Sequence, residues 1–380
     1  MSPRLHPAWT VVLITAFVAA ILAPGAVMVT RLDPETPNAE NRELAKPPVL
    51  AWRWMDLRAL PGAASSYFED HFGLRARLVR WQAWLRLRVF HVSASPDVIL
   101  GRDGWLFYAG DGGSEDLISA VPFRPSELEK WCATLQHTHD WLEAQGIDYL
   151  FVLAPDKHAV YPEYLPASVH RVGVETRTDA LVRYLRDHST VPVLDLRPAL
   201  LAAKKDERLY HRTDTHWNDR GAFVAYTALV RALGRAVVGE PAARAAFGAP
   251  KMVTPGLDLA RMLGLRADLR EENLPLVPLA PRRARVVEPP QSQPNFDVGR
   301  LVTEQDDSSR PRAVVFRDSF GSAVIPFLSE HFSRAVYLWQ NNMAPDVVLA
   351  EQPRVVIQEW VGRHLSTVWP YDPFAEAASR

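Results

Sequence analysis

The chain has 380 residues, enough for one large domain or two ordinary ones at roughly 150 residues each. Its 48% hydrophobic and 23% charged residues are globular in balance, which excludes wholesale disorder, a collagen-like repeat and a polytopic transporter. A formal net charge of -1 leaves no overall basic field to hold nucleic acid, and a single cysteine, Cys132, excludes an internal disulfide and a multi-cysteine metal site.

No Asp, Glu, Lys or Arg occurs between Arg4 and Arg31, and residues 8–29 are nearly all apolar. About 22 residues at ~1.5 Å each span roughly 33 Å, enough to cross a bilayer. Arg4 precedes the segment, so the positive-inside rule puts the N-terminus in the cytoplasm and the remainder outside. A cleaved signal peptide is the rival; Pro24 interrupts the best place for its small-x-small site. The expectation is a cytoplasmic tip and anchor over 1–30, a juxtamembrane linker over 31–53 and a catalytic domain over 54–370.

Apolar residues at three- and four-residue spacing predict helix over 54–90, and two short runs around Gly101 to Gly104 predict a hairpin. A helix follows over 126–145, with Ser126 as cap, Glu129 at capping-box spacing and Cys132 as a small core residue. Tyr149 to Ala154 reads as a buried strand, 175–188 as helix and 191–196 as strand. Asn218 caps a helix to about residue 233. Strand 313–316, helix 320–331, strand 335–339, helix 346–350 and strand 354–358 complete the alternation. The pattern is that of an α/β fold, a parallel sheet covered on both faces. Residues 235–310, rich in Pro and Arg, read as an irregular insertion.

Ligands of such folds sit beyond the carboxyl ends of the strands. In Ala313-Val-Val-Phe-Arg-Asp-Ser-Phe-Gly321 an apolar strand runs into Ser319 just before a helix, a position that suits a nucleophile and equally a plain N-cap. In Tyr210-His-Arg-Thr-Asp-Thr-His-Trp-Asn218, an extended loop would point Asp214 and His216 to one side. Asp214 then accepts from Nδ1 and leaves Nε2 as a base. The same loop also reads as a polar lead-in to a helix, and a zinc site on His211, Asp214 and His216 is the rival chemistry. Asp156 and Lys157, directly after a strand, are either substrate contacts or an ion pair locking the loop.

Together these segments resemble the alginate O-acetyltransferase family of the bacterial periplasm, the AlgJ/AlgX type, with its SGNH-hydrolase-like domain. The resemblance rests on Glu40-Asn-Arg-Glu-Leu44, Tyr67-Phe-Glu-Asp-His-Phe-Gly-Leu-Arg75, Gly101-Arg-Asp-Gly-Trp-Leu-Phe-Tyr108, Pro155-Asp-Lys-His-Ala-Val-Tyr-Pro162, Asp214-Thr-His-Trp217, Leu257-Asp-Leu259 and Arg317-Asp-Ser-Phe320, in family order. It implies a triad of Ser319, His216 and Asp214 on a circularly permuted SGNH fold, because Asp-x-His precedes the serine. Arg317 stands where many SGNH enzymes have glycine, and Gly362 stands where an acid was expected before Arg363. Asn341 and Asn342 are candidate oxyanion donors or turn residues, and Lys157 and Arg317 are further candidates for substrate or oxyanion contacts.

The resemblance further implies an O-acetyltransferase that modifies exopolysaccharide hydroxyls through an acetyl-serine. Its partners would be the polysaccharide acceptor, a membrane-bound O-acyltransferase as acetyl donor and other exopolysaccharide biosynthesis proteins. No metal, cofactor or nucleic acid is expected, and there is no Gly-rich phosphate loop for acetyl-CoA. An acetyl esterase would use the same triad with water as acceptor. A non-catalytic scaffold would instead stack sugars on Trp105, Phe107, Tyr108 and Trp217, unless these aromatics are core.

Overall fold

The computed structural model describes residues 7–30, 45–48, 54–292 and 297–375. Most of the expected linker, with Glu40–Leu44, lies outside the described residues. The chain forms two compact units: 1–94 with 262–265, and 95–261 with 266–380.

The first unit holds three helices: α1 (Pro7–Thr30), α2 (Trp54–His71) and α3 (Arg75–Arg88). The apolar stretch Ala8–Met28 of α1 is long enough to cross a membrane, its side chains are largely exposed, and it fits a single-pass anchor. The helix expected over 54–90 is two helices. Gly73 and Leu74 break it, with Leu74 at φ 68°, in the left-handed region where a helix does not propagate.

The second unit is the α/β fold. A hairpin, β1 (Val98–Leu100) with β2 (Leu106–Tyr108), leads into α4 (Pro125–Ala144), β3 (Asp148–Ala154), α5 (Arg177–His188), β4 (Val193–Asp195) and α6 (Asp219–Leu233). Next come β5 (Arg285–Glu288), β6 (Arg300–Glu304), β7 (Arg312–Arg317), β8 (Arg334–Trp339), α7 (Pro345–Glu351) and β9 (Val355–Val361). The sheet has seven strands in the order β4-β3-β9-β7-β8-β6-β5. The first five are parallel, and β6 and β5 add antiparallel. This is the expected SGNH-hydrolase-like α/β architecture, a mostly parallel sheet with helices on both faces.

Alternation along each central strand feeds two cores. Leu150 and Val152 of β3 and Val355 and Ile357 of β9 pack with Phe223, Tyr226 and Leu229 of α6. Phe151, Leu153, Val356 and Trp360 pack on the opposite face with Trp131 and Leu135 of α4 and Leu181 and Leu185 of α5. Cys132 lies in this second core.

Three further expectations change. Helix α4 begins at Pro125, and Glu127, not Glu129, reaches back to accept from the Arg124 N–H at 2.9 Å; proline's fixed φ suits the first helical position. The expected helix 320–331 is three short turns, and Pro326, with no N–H to continue the ladder, separates the first from the second. The irregular insertion supplies β5 and β6, so it caps one edge of the main sheet. Charges at both ends of these short strands, Arg285 and Glu288, Arg300 and Glu304, hide them from a search for buried apolar runs.

Candidate active site

Strand β7 ends at Arg317, and Asp318 and Ser319 follow at the carboxyl edge of the sheet. Ser319 has φ -65° and ψ -27° and opens the turn Phe320–Ala323, yet its side chain makes no capping bond. Asp318 takes the cap role, with Oδ1 accepting from the Phe320 N–H at 2.9 Å and Oδ2 from the Val361 N–H at 2.7 Å. The Ser319 hydroxyl is thereby left to His216, whose Nε2 lies 2.7 Å from Oγ.

His216 comes from the loop before α6. The loop is closed at its base, where Tyr210 bridges Trp217 and the Asn218 N–H donates to Leu209 O at 2.9 Å. Asn218 Oδ1 caps α6 by accepting from the N–H groups of Arg220 and Gly221. Asp214 meets His216 through a tight turn rather than an extended strand. Its Oδ1 accepts from the His216 N–H at 3.0 Å and from Nδ1 at 2.7 Å. With Nδ1 donating, Nε2 is left as a hydrogen-bond acceptor facing the Ser319 hydroxyl. Burial pushes the His216 pKa down, but the hydrogen bond and charge of Asp214 outweigh it, and the net direction is up. Asp214, although buried, is held well below the usual carboxylate range by the same contact.

The insertion grips this loop. Asp258 Oδ1 accepts from the Thr215 N–H at 2.8 Å and Oδ2 from the Thr215 hydroxyl at 2.7 Å. Glu271 is buried and accepts from the Thr213 N–H, while its Oε1 lies 3.0 Å from His211 Nδ1. Burial and the nearby Asp214 charge raise the Asp258 pKa.

Lys157, a candidate substrate contact, is turned inward. It is 3% exposed, and its ammonium donates to the carbonyls of His211, Arg212 and Asp214 at 3.0, 3.2 and 2.5 Å. All three protons are spent holding the loop. Burial brings its pKa down to about 8. The ion pair expected with Asp156 is absent, because Asp156 belongs to Arg363. The Arg363 backbone N–H and Nη1 donate to its two oxygens at 2.8 and 2.5 Å. No acid is needed at position 362, where a Cβ would lie 3.2 Å from Thr178 Oγ1.

Arg317 is 2% exposed, donates to Asp318 O and Ser322 Oγ, and lies over the Trp339 ring; it braces the serine turn from below and does not face solvent. Asn341 is likewise committed. Its Nδ2 donates to Glu359 O at 3.1 Å, and its main-chain carbonyl accepts from the Gln358 and Trp360 side chains. Asn342 Oδ1 accepts from the Tyr371 N–H at 3.1 Å. Neither side chain bonds to Ser319 or His216. Trp105, Phe107 and Trp217 are buried core, and Tyr108 donates its hydroxyl to Asp111.

At this site a metal would have to use Asp214, His216 and Asp258, whose ligand atoms lie within 4.8 Å of one another. The oxygens of both carboxylates already accept from N–H or hydroxyl groups, and His211 is held by Glu271 away from that cluster. The donor set fits a hydrogen-bonded dyad better than a coordination sphere.

Beneath the serine turn a small cavity with room for about one water is lined by Val315, Ile357, Leu328, Trp217, Arg317 and Glu359. Glu359 accepts from the Asp318 N–H at 3.0 Å, and burial together with Asp318 raises its pKa well above the usual range. Sequence reasoning assigned no role to Asp258, Glu271, Glu359 or Arg363. Asp258 stood in the matched segment Leu257-Asp-Leu259, and Arg363 followed the position where an acid was expected.

Residues 98–341 match the family model for the SGNH hydrolase-like domain of the acetyltransferase AlgX. The chain belongs to this family. Among curated relatives, the probable alginate O-acetylase AlgJ of Pseudomonas fluorescens is 28% identical over 237 residues, covering 61% of this chain and 54% of that protein. The probable alginate O-acetylase AlgJ of Pseudomonas syringae pv. tomato is 29% identical over 187 residues, covering 47% of this chain and 44% of that protein. The chain thus spans about half the length of the curated relatives it matches. The O-acetyltransferase domain of Pseudomonas putida AlgJ has the same fold, with a TM-score of 0.50 and 22% identity over 75% of this chain and all of that domain.

Proposed function

We propose that this family member is an O-acetyltransferase that moves acetyl groups onto hydroxyls of an exopolysaccharide. The observation that carries the reading is the unbroken chain from Asp214 through His216 to Ser319, with 2.7 Å at both links. His216 Nε2 takes the hydroxyl proton as Ser319 Oγ attacks the acetyl carbonyl of the donor. The Ser319 N–H, which has no partner among the described residues, is suitably placed to hold the oxyanion. The donor's leaving group departs with the His216 proton and leaves acetyl-Ser319. A sugar hydroxyl then gives its proton to His216 and attacks the same carbonyl, and Ser319 recovers its hydrogen.

The apolar α1, preceded by Arg4, supports an uncleaved anchor with its N-terminus in the cytoplasm and the catalytic unit in the periplasm. A membrane-bound O-acyltransferase would then supply acetyl across the membrane. An alkaline phosphatase fusion at the C-terminus should be active, and the chain should resist a carbonate wash; release of a shortened soluble chain would refute the anchor.

The activity test gives the purified chain an activated acetyl ester with and without oligosaccharide. A transferase forms acetyl-Ser319, visible on its peptide by mass spectrometry, and acetylates sugar faster than it releases acetate. The in-line hydroxyl gains an effective molarity on the order of 10⁵ M over bulk reaction. An esterase releases acetate whether or not sugar is present. Unchanged polymer acetylation in cells carrying only Ser319→Ala would end the reading.

A further inference from the structure

Helix α3 in the first unit reads Arg75-Ala-Arg-Leu-Val-Arg-Trp-Gln-Ala-Trp-Leu-Arg-Leu-Arg88. It carries five arginines, and no Asp or Glu occurs from Arg75 to Pro96. Leu78, Val79, Trp81 and Trp84 are exposed among those arginines, as are Val89, Phe90 and Val92 just beyond them. Only Ala83 of the helix is buried. A water-facing helix would keep its large apolar side chains off its exposed positions, and a core helix would be covered. This one shows apolar and cationic groups on nearly every face. The headgroup layer of a bilayer accommodates both: indole rings sit at its boundary, and arginine stems lie along apolar matter while guanidinium groups reach phosphates.

The depth of α3 can be read from α1. Gly73, in the turn that starts α3, packs directly on the anchor helix. A Cβ there would collide with Pro24 O and lie 2.8 Å from the Met28 nitrogen. Pro24 and Met28 belong to the last turns of the apolar stretch Ala8–Met28. Pro24 to Thr30 rises only about 9 Å, so the corner that launches α3 sits about one headgroup thickness from the end of the span. Amphipathic interfacial helices lie roughly 5–10 Å into that boundary.

We propose that α3, with the aromatic segment to Val92, docks on the anionic phospholipid surface of the leaflet into which the C-terminal end of α1 opens. The proposal rests on α1 being an anchor. The segment adds a second membrane attachment, beyond the span itself, and its arginines select acidic headgroups.

The test uses the full chain in nanodiscs of phosphatidylethanolamine and phosphatidylglycerol, with buried Cys132 replaced by alanine and single spin labels at Ile14→Cys, Trp81→Cys, Trp84→Cys and Val174→Cys. Accessibility to oxygen, which partitions into lipid, is compared with accessibility to a water-soluble nickel chelate. The expected result is an oxygen-to-chelate ratio at 81 and 84 several-fold above that at the fully exposed 174. The ratio should fall at least twofold when phosphatidylglycerol is omitted. If 14 reads deep in lipid while 81 and 84 match 174, the docking proposal is wrong and the anchor stands. Labels at 81 and 84 shielded from both reagents would mean a protein covers the helix, which also overturns it. If 14 itself reads as aqueous, the anchor reading fails and takes the proposal with it.

Discussion

Replacing Asp214 by asparagine isolates the charge that the site places behind its histidine. Asp214 Oδ1 is 2.7 Å from His216 Nδ1, and an effective dielectric of about 20 puts the gross attraction to an imidazolium near 6 kcal/mol. The amide can keep its oxygen on the His216 N–H and Nδ1–H, because the other position faces only the Asp258 N–H at a looser 3.5 Å. The tautomer therefore survives, and the amide dipole recovers part of the attraction. A loss of about 4 kcal/mol from the transition state remains, roughly a 10³-fold fall in kcat/KM.

The pH profile moves in a definite direction. In the wild type His216 must be neutral to act, and its pKa stands above the ordinary value, so activity falls on acidification through a midpoint above about 6.5. Burial is the largest influence on this histidine and lowers its pKa; without the Asp214 charge it is opposed only by the weaker influence of Asp258 and the neutral amide. The acid limb of Asp214→Asn therefore shifts below about 6.5 even as the plateau drops. The assay is kcat/KM for a chromogenic acetyl ester from about pH 5 to 9, with a thermal melt to establish folding. A plateau loss under about tenfold, or an acid limb that stays or moves up, would refute the role given to Asp214.

Arg363→Ala should cost about 3–5 kcal/mol in a chemical melt near neutrality, because it strands Asp156 as a buried unpaired charge. Arg363 outweighs burial to hold the Asp156 pKa down, and that stability is present above the unfolded value near 4 and lost as pH falls, so the gap to the wild type should narrow in acid. Lys157→Met should slow catalysis and destabilise the loop by about 3 kcal/mol, since three carbonyls lose a charged donor. The wild type gains stability between about pH 8 and the unfolded value near 10.4, as the buried ammonium sheds its unfavourable proton; the methionine variant should lose this rise in melts at the two ends. Glu359→Gln should match or exceed wild-type stability near pH 7. A carboxyl whose folded pKa is raised is stabilising below its unfolded value near 4.3 and costs increasingly above it, and a melt that falls instead would show that Glu359 is charged in the fold.

The parts of the site legible in the sequence were those whose partners are near in the chain or fixed by the sheet. Asp214 and His216 are two residues apart, and a turn closed by the first on the N–H of the second brings their side chains together. Ser319 follows a strand whose apolar run, Ala313 to Phe316, commits it to the sheet interior, so its place at the carboxyl edge follows from the α/β rhythm. What the sequence hid was the second layer, because it is long-range and charged. Lys157 looked like a ligand because a lysine after a strand usually reaches solvent. Here burial turns its ammonium onto carbonyls more than fifty positions away. Asp258 and Glu271 lie in a segment without regular apolar period, yet they hold Thr215 and Thr213 on either side of Asp214. Periodicity reports which residues face a core and is silent on which carboxylate meets which backbone N–H. The apparent irregularity of the insertion therefore follows from what its polar groups do. They fix the loop that aims His216 at Ser319, so that in the proposed mechanism the proton acceptor is in place before any substrate arrives.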